Sequence, residues 1–416
     1  MKISQRVSNL KPAATIALAN RAKDLQKQGV DVVSFTAGEP DFDTPDAIKK
    51  AAIDGLNRNM THYMPPLGDM DSRAAVAEKV TRENHLPNVT PEHVAISAGG
   101  KQALYAIFQC LFDQPATGQP PLEAILPSPA WVSYPVLIEL AGGKVVEIPC
   151  SAKNDFKLTP EALKAAITPR TRVVVLNSPS NPTSTMMSEA ELRALAKVVD
   201  EAARTICPDI LVLTDEMYEK IIFGGIPHFS IGSIPEIAER TITVNGLSKS
   251  YAMTGWRVGY TVGSGAFGKK LISAMGVLQG QMITNITSFI YPSIRAALTL
   301  CDADVERMRQ SFAQRAELSY GLLRQIPGVS CCRPTGAFYL FPDVSALYGK
   351  STASGKVIRT SVDFAEGLLA DAKVVVIPGC EFGPPGDNHI RLTFACAEAN
   401  IRKGLQRMGE FVASLR

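Results

Sequence analysis

The chain has 416 residues, with 43 Lys and Arg against 40 Asp and Glu and a formal net charge of +3. So small a charge over that length, with no block of five like charges, disfavours nucleic acid and anionic membrane surfaces as partners. No apolar run approaches the roughly 18 residues that span a bilayer, and the N-terminus lacks an export-signal pattern, so a cytoplasmic protein of two or three domains is expected.

From about residue 90 to 265, short apolar runs alternate with helical patterns. The strand-like runs are Val94–Ala98, Ala124–Leu126, Lys144–Ile148, Arg172–Leu176, Ile210–Thr214, Thr241–Val244 and Arg257–Val262. This is the βα rhythm of a largely parallel sheet covered on both faces. Thr90-Pro91-Glu92 and Thr159-Pro160-Glu161 each offer a cap with proline at the first helical position, and Ser188-Glu189-Ala190-Glu191 is a capping box. Asp113–Glu123 and Gly349–Lys356 read as long surface loops. After about residue 295 a charged helix, Asp302–Leu323, precedes short strands around Ala337–Phe341, Val374–Ile377 and His389–Ala395, which reads as a second, smaller α+β domain. The eight cysteines form no CxxC pair and the five histidines no HExxH, so reduced thiols are expected, with neither a disulfide framework nor a metal site.

In an open α/β sheet, ligands bind beyond the carboxyl ends of the strands. Gly99, Gly100 and Lys101 follow the first predicted strand, Trp131 the second, Asn177 to Asn181 the fourth, Asp215 the fifth and Lys249 the sixth. That recurrence favours one shared site. Backbone N–H groups of the Ser97–Gln102 turn, opening a helix, can hold phosphate. The turn is not an ATP-binding loop, because Ala95 and Gln102 stand where Gly and Ser/Thr are required. A lysine amine can form a Schiff base with an aldehyde cofactor, and Arg257, eight residues after Lys249, can hold that cofactor's phosphate. Asp215 ends an apolar run; it either caps the next helix or faces a cation such as a protonated pyridine nitrogen. Arg391 alternates with Ile390 and Leu392, so it faces away from them, as a surface ion pair or as a bidentate carboxylate grip.

The run Gly246-Leu247-Ser248-Lys249-Ser250-Tyr251-Ala252-Met253-Thr254-Gly255-Trp256-Arg257-Val258-Gly259 resembles the cofactor-lysine signature of the class I and II aminotransferases, and motifs similar to that family's keep their order from Lys11 to the last helix. The resemblance implies an α/β fold-type I pyridoxal-phosphate transferase. Its large domain, residues 46–295, would hold a mainly parallel seven-stranded sheet in three layers; residues 296–416 would form the smaller α+β domain, and residues 1–45 an arm and part of it. It implies pyridoxal 5'-phosphate on Lys249, with Asp215 at the pyridine nitrogen, Tyr218 and Asn181 at the 3-oxygen, Trp131 against the ring, and Gly99, Gly100, Lys101 and Arg257 towards the phosphate.

The same resemblance places the substrate's α-carboxylate on Arg391, Asn181 and the backbone of Gly38, with Lys101, Lys11 and Thr15 meeting a distal carboxylate and Trp131 contacting substrate as well as cofactor. Tyr63 would reach the phosphate of a neighbouring subunit, which implies a homodimer. Three departures stand out: Ser184 where the family's Asn-Pro-Thr-Gly has glycine, Gly246 where many relatives carry a phosphate-binding serine, and Gly280-Gln281-Met282-Ile283 in place of a Ser-Gln-Ser-Thr loop. The expected reaction is transamination between L-aspartate or L-glutamate and a 2-oxo acid, 2-oxoglutarate or oxaloacetate, with prephenate as a further acceptor. Transamination of aromatic or neutral amino acids, or a lyase reaction on the same fold, remains open. A nicotinamide dehydrogenase is disfavoured because no GxGxxG follows an early strand.

Overall fold

The computed structural model describes residues 3–8, 10, 14–116 and 118–416. β1 (Val33–Ser34) pairs in parallel with β10 (Val374–Val375), away from the main sheet. The main sheet consists of β2 (Val94–Ser97), β3 (Glu123–Ser128), β4 (Lys144–Pro149), β5 (Thr171–Asn177), β6 (Leu211–Asp215), β7 (Thr241–Gly246) and β8 (Gly259–Gly263). Their spatial order is β2-β8-β7-β6-β5-β3-β4. Only β8 runs against its neighbours, β2 and β7; the pairs from β7 to β4 are parallel.

Alternation along each strand explains the three layers. Val173 and Val175 of β5 pack with Leu211 and Leu213 of β6 against Leu104, Ile107, Leu271 and Ile272, which belong to the helices Gly100–Leu111 and Gly265–Met282. The intervening Val174, Leu176 and Val212 meet Leu192, Leu195 and Val199 of the helix Glu189–Thr205 on the opposite face. Each such side chain, taken fully out of water, contributes about 1.5–3 kcal/mol before chain entropy is charged against it. Ser188 starts that helix as its sequence predicts: its hydroxyl and backbone N–H both meet Glu191 Oε2, at 2.8 and 2.7 Å.

β9 (Tyr339–Leu340), β11 (Ile377–Pro378) and β12 (Ile390–Thr393) form an antiparallel sheet in the order β11-β12-β9. Phe312, Phe338, Phe364 and Phe411 fill the core between it and the helices Asp302–Leu323, Ser361–Ala372 and Glu398–Ser414.

Four local expectations change. Thr90-Pro91-Glu92 opens only a 3-10 turn, Pro91–His93, because β2 begins directly after it. The last main strand starts at Gly259 rather than Arg257, whose φ of 60° takes it out of extended backbone. β9 and β12 are shorter than their apolar runs. Gly280–Met282 is the last turn of a helix rather than a loop. All eight cysteines are free, and no helix among the described residues is long and apolar enough to cross a membrane.

Candidate active site

A cavity of about 640 Å³ opens at the carboxyl ends of β3, β5, β6 and β7. Its wall carries Gly38, Gly100, Lys101, Trp131, Asn181, Asp215, Tyr218, Lys249, Arg257 and Arg391; those from Gly100 to Arg257 come from turns and loops around the main sheet, while Gly38 follows β1 and Arg391 is brought in on β12 of the small sheet. The helix Ala14–Lys27 closes one side through Asn20, Lys23 and Gln26.

Asp215 ends β6 and is buried. Its Oδ2 accepts a 2.7 Å hydrogen bond from the Tyr134 hydroxyl, and its Oδ1 accepts from the backbone N–H of Met217 at 3.1 Å. Burial pushes its carboxyl pKa up, and these two donors oppose that shift by favouring the ionised form. A buried carboxylate with two neutral donors suits a cationic partner in the cavity.

Lys249 lies just beyond β7, its amine facing the cavity and donating to the Gly38 carbonyl. Loss of solvation lowers its pKa to about 8; Arg257 and Arg391 push the same way, while Glu39 and Asp215 resist. The lysine turn is tied to residues 36–44 by Thr254 Oγ1 donating to Glu39 Oε2 at 2.7 Å and by Trp256 Nε1 donating to Thr44 Oγ1 at 3.1 Å.

Arg391, on β12, is buried. Nη1 donates to Asn181 Oδ1 at 3.1 Å and Nη2 to the Thr36 carbonyl at 3.0 Å, whereas Nε has no partner. The Arg257 guanidinium lies over Gly99 at the start of the helix Gly100–Leu111. A Cβ on Gly99 would stand 2.5 Å from Arg257 Nη2, so glycine there is a steric requirement as well as a conformational one, at φ +82°. A largely desolvated amine, a buried acid and a buried guanidinium thus face one space, with a helix N-terminus and a second guanidinium at its end.

The sequence matches the family model for aminotransferase class I and II over residues 30–408. The chain belongs to the class I and II aminotransferases. It is 40% identical to an aspartate aminotransferase of Geobacillus stearothermophilus and 39% identical to an aspartate/prephenate aminotransferase of Cereibacter sphaeroides, each comparison covering 99% of both chains. A solved structure of the Thermus thermophilus aspartate aminotransferase with maleate, 39% identical, superposes with a TM-score of 0.88 over 99% of this chain and 100% of that one.

Against the expectations for this aminotransferase, the cavity gathers every residue named for it except four, Gly99, Tyr63, Lys11 and Thr15. Gly99 borders it through Arg257. Tyr63 is 86% exposed and stands outside the cavity wall. Lys11 lies outside the described residues, and Thr15 falls in the helix Ala14–Lys27 with its side chain outside the described set. Asn177 both lines the cavity and braces it: its Nδ2 donates to the Asp215 carbonyl at 3.0 Å while its Oδ1 accepts from the Asn181 N–H at 2.9 Å. Lys101 sits exposed at the rim with Nζ 5.0 Å from the Trp131 ring centre; desolvation and then the Arg257 charge lower its pKa.

Two buried tyrosines of the wall escaped sequence reasoning, Tyr134 and Tyr339. Tyr134 comes one helical turn after Trp131 and packs edge-to-face on it, with ring centres 5.4 Å apart, a spacing that is legible once Trp131 is singled out. Tyr339 sits among apolar neighbours and carries no such signal.

Behind Asp215, on the far side of β6, lies a cluster that sequence analysis also missed. The Lys79 ammonium donates to Glu219 and, at 2.7 Å, to Asn84 Oδ1; Asn84 Nδ2 donates to Glu219 at 2.7 Å and Glu216 at 3.1 Å; Ser230 donates to Glu216 at 2.6 Å. Ligand atoms of Glu216, Glu219 and His228 lie within 4.8 Å of one another, but Lys79 already supplies the cation. Burial, followed by the Glu219 charge, pushes Glu216 up to about 8. Burial would also raise Glu219, but the Lys79 charge overrides it and holds the carboxyl at about 2. Desolvation lowers His228 to about 4.

Proposed function

We propose that this aminotransferase moves the amino group of L-aspartate or L-glutamate to a 2-oxo acid, 2-oxoglutarate or oxaloacetate, using pyridoxal 5'-phosphate. The observation that carries the reading is the placement of Lys249, Asp215 and Arg391 around one cavity, each with a chemical task left open. Two features fit the cofactor and its substrate: the close approach of Arg257 to Gly99, which any Cβ would obstruct, and the unpartnered Nε of Arg391, a buried donor that a carboxylate would satisfy.

When bound, the protonated pyridine ring is an electron sink for charge developing at the substrate's Cα. Lys249 would hold the aldehyde end, Asp215 the pyridine nitrogen, Tyr218 and Asn181 the 3-oxygen, Trp131 a ring face, and Gly99, Gly100 and Arg257 the phosphate. An amine whose pKa is lowered to about 8 takes up and gives back a proton near neutral pH, which suits Lys249 to carry the proton removed from Cα. Arg391 orients the substrate by its α-carboxylate, and Lys101 at the rim receives the distal one.

The relative's name, aspartate/prephenate aminotransferase, and the exposed apolar Met282 and Ile283 support prephenate as a further acceptor. Residues 46–295 then form the large domain and 296–416 the small one, joined by part of 1–45. Ile53, Leu56, Tyr63, Met70 and Val277 are large apolar side chains left exposed. We assign them to the contact between two copies of the chain, with Tyr63 serving the partner's phosphate, in a cytoplasmic enzyme. The test is a screen of amino donors against 2-oxo acids with purified protein. Aspartate or glutamate should lead, and consumption of a donor without any 2-oxo acid would instead show a lyase.

A further inference from the structure

We propose that Tyr339 is a positioning residue, held by Ser184, that links the charge on Arg391 to the hydrogen-bond strength of the Tyr218 hydroxyl. The inference rests on the proposed function, which places the 3-oxygen of the cofactor at Tyr218 and a substrate carboxylate at Arg391.

Tyr339 touches both. Its hydroxyl lies 2.9 Å from that of Tyr218, and its ring centre lies 4.6 Å from the Arg391 guanidinium carbon. Ser184, the residue that departs from the family's glycine, is fully buried at φ +56°. Its Oγ accepts a 2.8 Å hydrogen bond from the Tyr339 backbone N–H, so the side chain that costs Ser184 a left-handed backbone is used to anchor Tyr339. Gly38 completes the enclosure: a Cβ there would stand 3.3 Å from the Tyr339 hydroxyl. Ring, hydroxyl and backbone of Tyr339 are therefore each fixed by a different neighbour.

Tyr218 has one hydroxyl proton. When that proton is donated to the ring oxygen, the Tyr218 oxygen accepts from Tyr339. A guanidinium against the face of Tyr339 withdraws electron density and makes its hydroxyl the stronger donor, which in turn strengthens the donation by Tyr218. Stronger donation stabilises negative charge on the ring oxygen and so lowers the proton affinity of the nitrogen supplied by Lys249. A carboxylate on Arg391 cancels the positive charge, relaxes the chain of hydrogen bonds and raises that affinity when substrate arrives. Asp215, Lys249, Glu39 and Arg257 also face this space. They act equally with and without the Tyr339 hydroxyl, as does the direct bond from Arg391 to Asn181.

The experiment is a pH titration of the cofactor's visible absorption band in the holoenzyme, with and without saturating succinate, a dicarboxylate that has no amine to react. In the unaltered protein, succinate should raise the midpoint. In Tyr339→Phe, which keeps the ring under Arg391, the midpoint without succinate should rise by about half a pH unit and the succinate-induced rise should fall to about half. Succinate affinity should stay within about threefold. Ser184→Gly should move both quantities in the same direction by less, and it decides the matter if the phenylalanine variant fails to retain cofactor. Unchanged midpoints with and without succinate overturn the inference. Absence of any cofactor band in the unaltered protein overturns the proposed function as well, so the two failures are distinguishable.

Discussion

Tyr134 donates a 2.7 Å hydrogen bond to Asp215 from a helix that begins five residues beyond the end of β3, across the sheet from β6. A hydrogen bond to an ionised group contributes about 1.5–3 kcal/mol. In Tyr134→Phe the carboxylate keeps only the Met217 N–H, and its pKa moves further up. Turnover with aspartate should fall by about tenfold or more, with KM changed little. Steady-state kinetics and exchange of the substrate's Cα proton measure this. Wild-type turnover in that variant would remove Tyr134 from the mechanism.

Lys101 should decide substrate choice. Lys101→Ala is expected to lower kcat/KM for aspartate by about ten- to a hundredfold, the loss of one charge-assisted hydrogen bond, and to affect alanine or an aromatic donor far less. Equal losses for charged and neutral donors would assign Lys101 to the cofactor or the fold instead.

The Gly99–Arg257 contact predicts a cofactor-affinity defect. Gly99→Ala places a methyl 2.5 Å from Arg257 Nη2 and imposes φ +82° on a residue with a side chain. Displacing the guanidinium should weaken pyridoxal phosphate binding by about tenfold, roughly 1.4 kcal/mol. Equilibrium dialysis of the apoenzyme provides the measurement, and unaltered affinity would mean that Arg257 does not serve the phosphate.

The Lys79 cluster makes stability depend on pH in a definite direction. Glu216 has a folded pKa of about 8, above the ordinary 4.5, so the folded state holds its proton where the unfolded state has lost it. Its stabilising contribution is therefore present below pH 4.5 and is lost as pH rises through 8. Glu219, at about 2, and His228, at about 4, act oppositely: each favours the folded state above its ordinary pKa, and that contribution is lost as pH falls through the folded value. Between pH 7 and 8 Glu216 dominates among the three, whereas above pH 8 the lowered pKa of Lys249 acts in the opposite sense. The melting temperature should fall from pH 7 to 8, and Glu216→Gln, which cannot ionise, should lose that fall. Parallel slopes for the two proteins would show that Glu216 is already ionised in the folded state.

What the sequence made legible follows the physics of each element. The inner main strands were readable because strands covered on both faces must be apolar throughout, as in Val173–Leu176 and Leu211–Leu213; β4, a largely exposed edge strand, showed instead through the β-branched Val145, Val146 and Ile148. Gly100, Trp131, Asn181, Asp215 and Lys249 were readable because they end or follow those strands, whereas Gly38 and Arg391, carried by β1 and β12 outside the main sheet, were legible through the family resemblance. Thr90-Pro91 misled, since the same cap and proline open a single 3-10 turn as readily as a helix. The buried polar pairs in and behind the cavity are not local in sequence: Tyr134 and Asp215 are 81 positions apart, Tyr218 and Tyr339 121, Lys79 and Glu219 140. A tyrosine in an apolar run looks like core, and a lysine on a helix looks like surface, until tertiary packing supplies the partner. Ser184 illustrates the converse, a departure visible in the sequence whose hydroxyl acquires a task only when β9 is laid beside it.

The central claim is that Lys249 carries the cofactor, and reduction tests it most directly. Purified protein treated with borohydride should lose its visible absorption band while pyridoxal phosphate becomes covalently fixed, and peptide mass mapping should place the added mass on Lys249. In Lys249→Ala no such adduct should form and turnover should vanish, although cofactor still binds. Attachment to another lysine, or no aldehyde cofactor in the protein at all, would contradict the account.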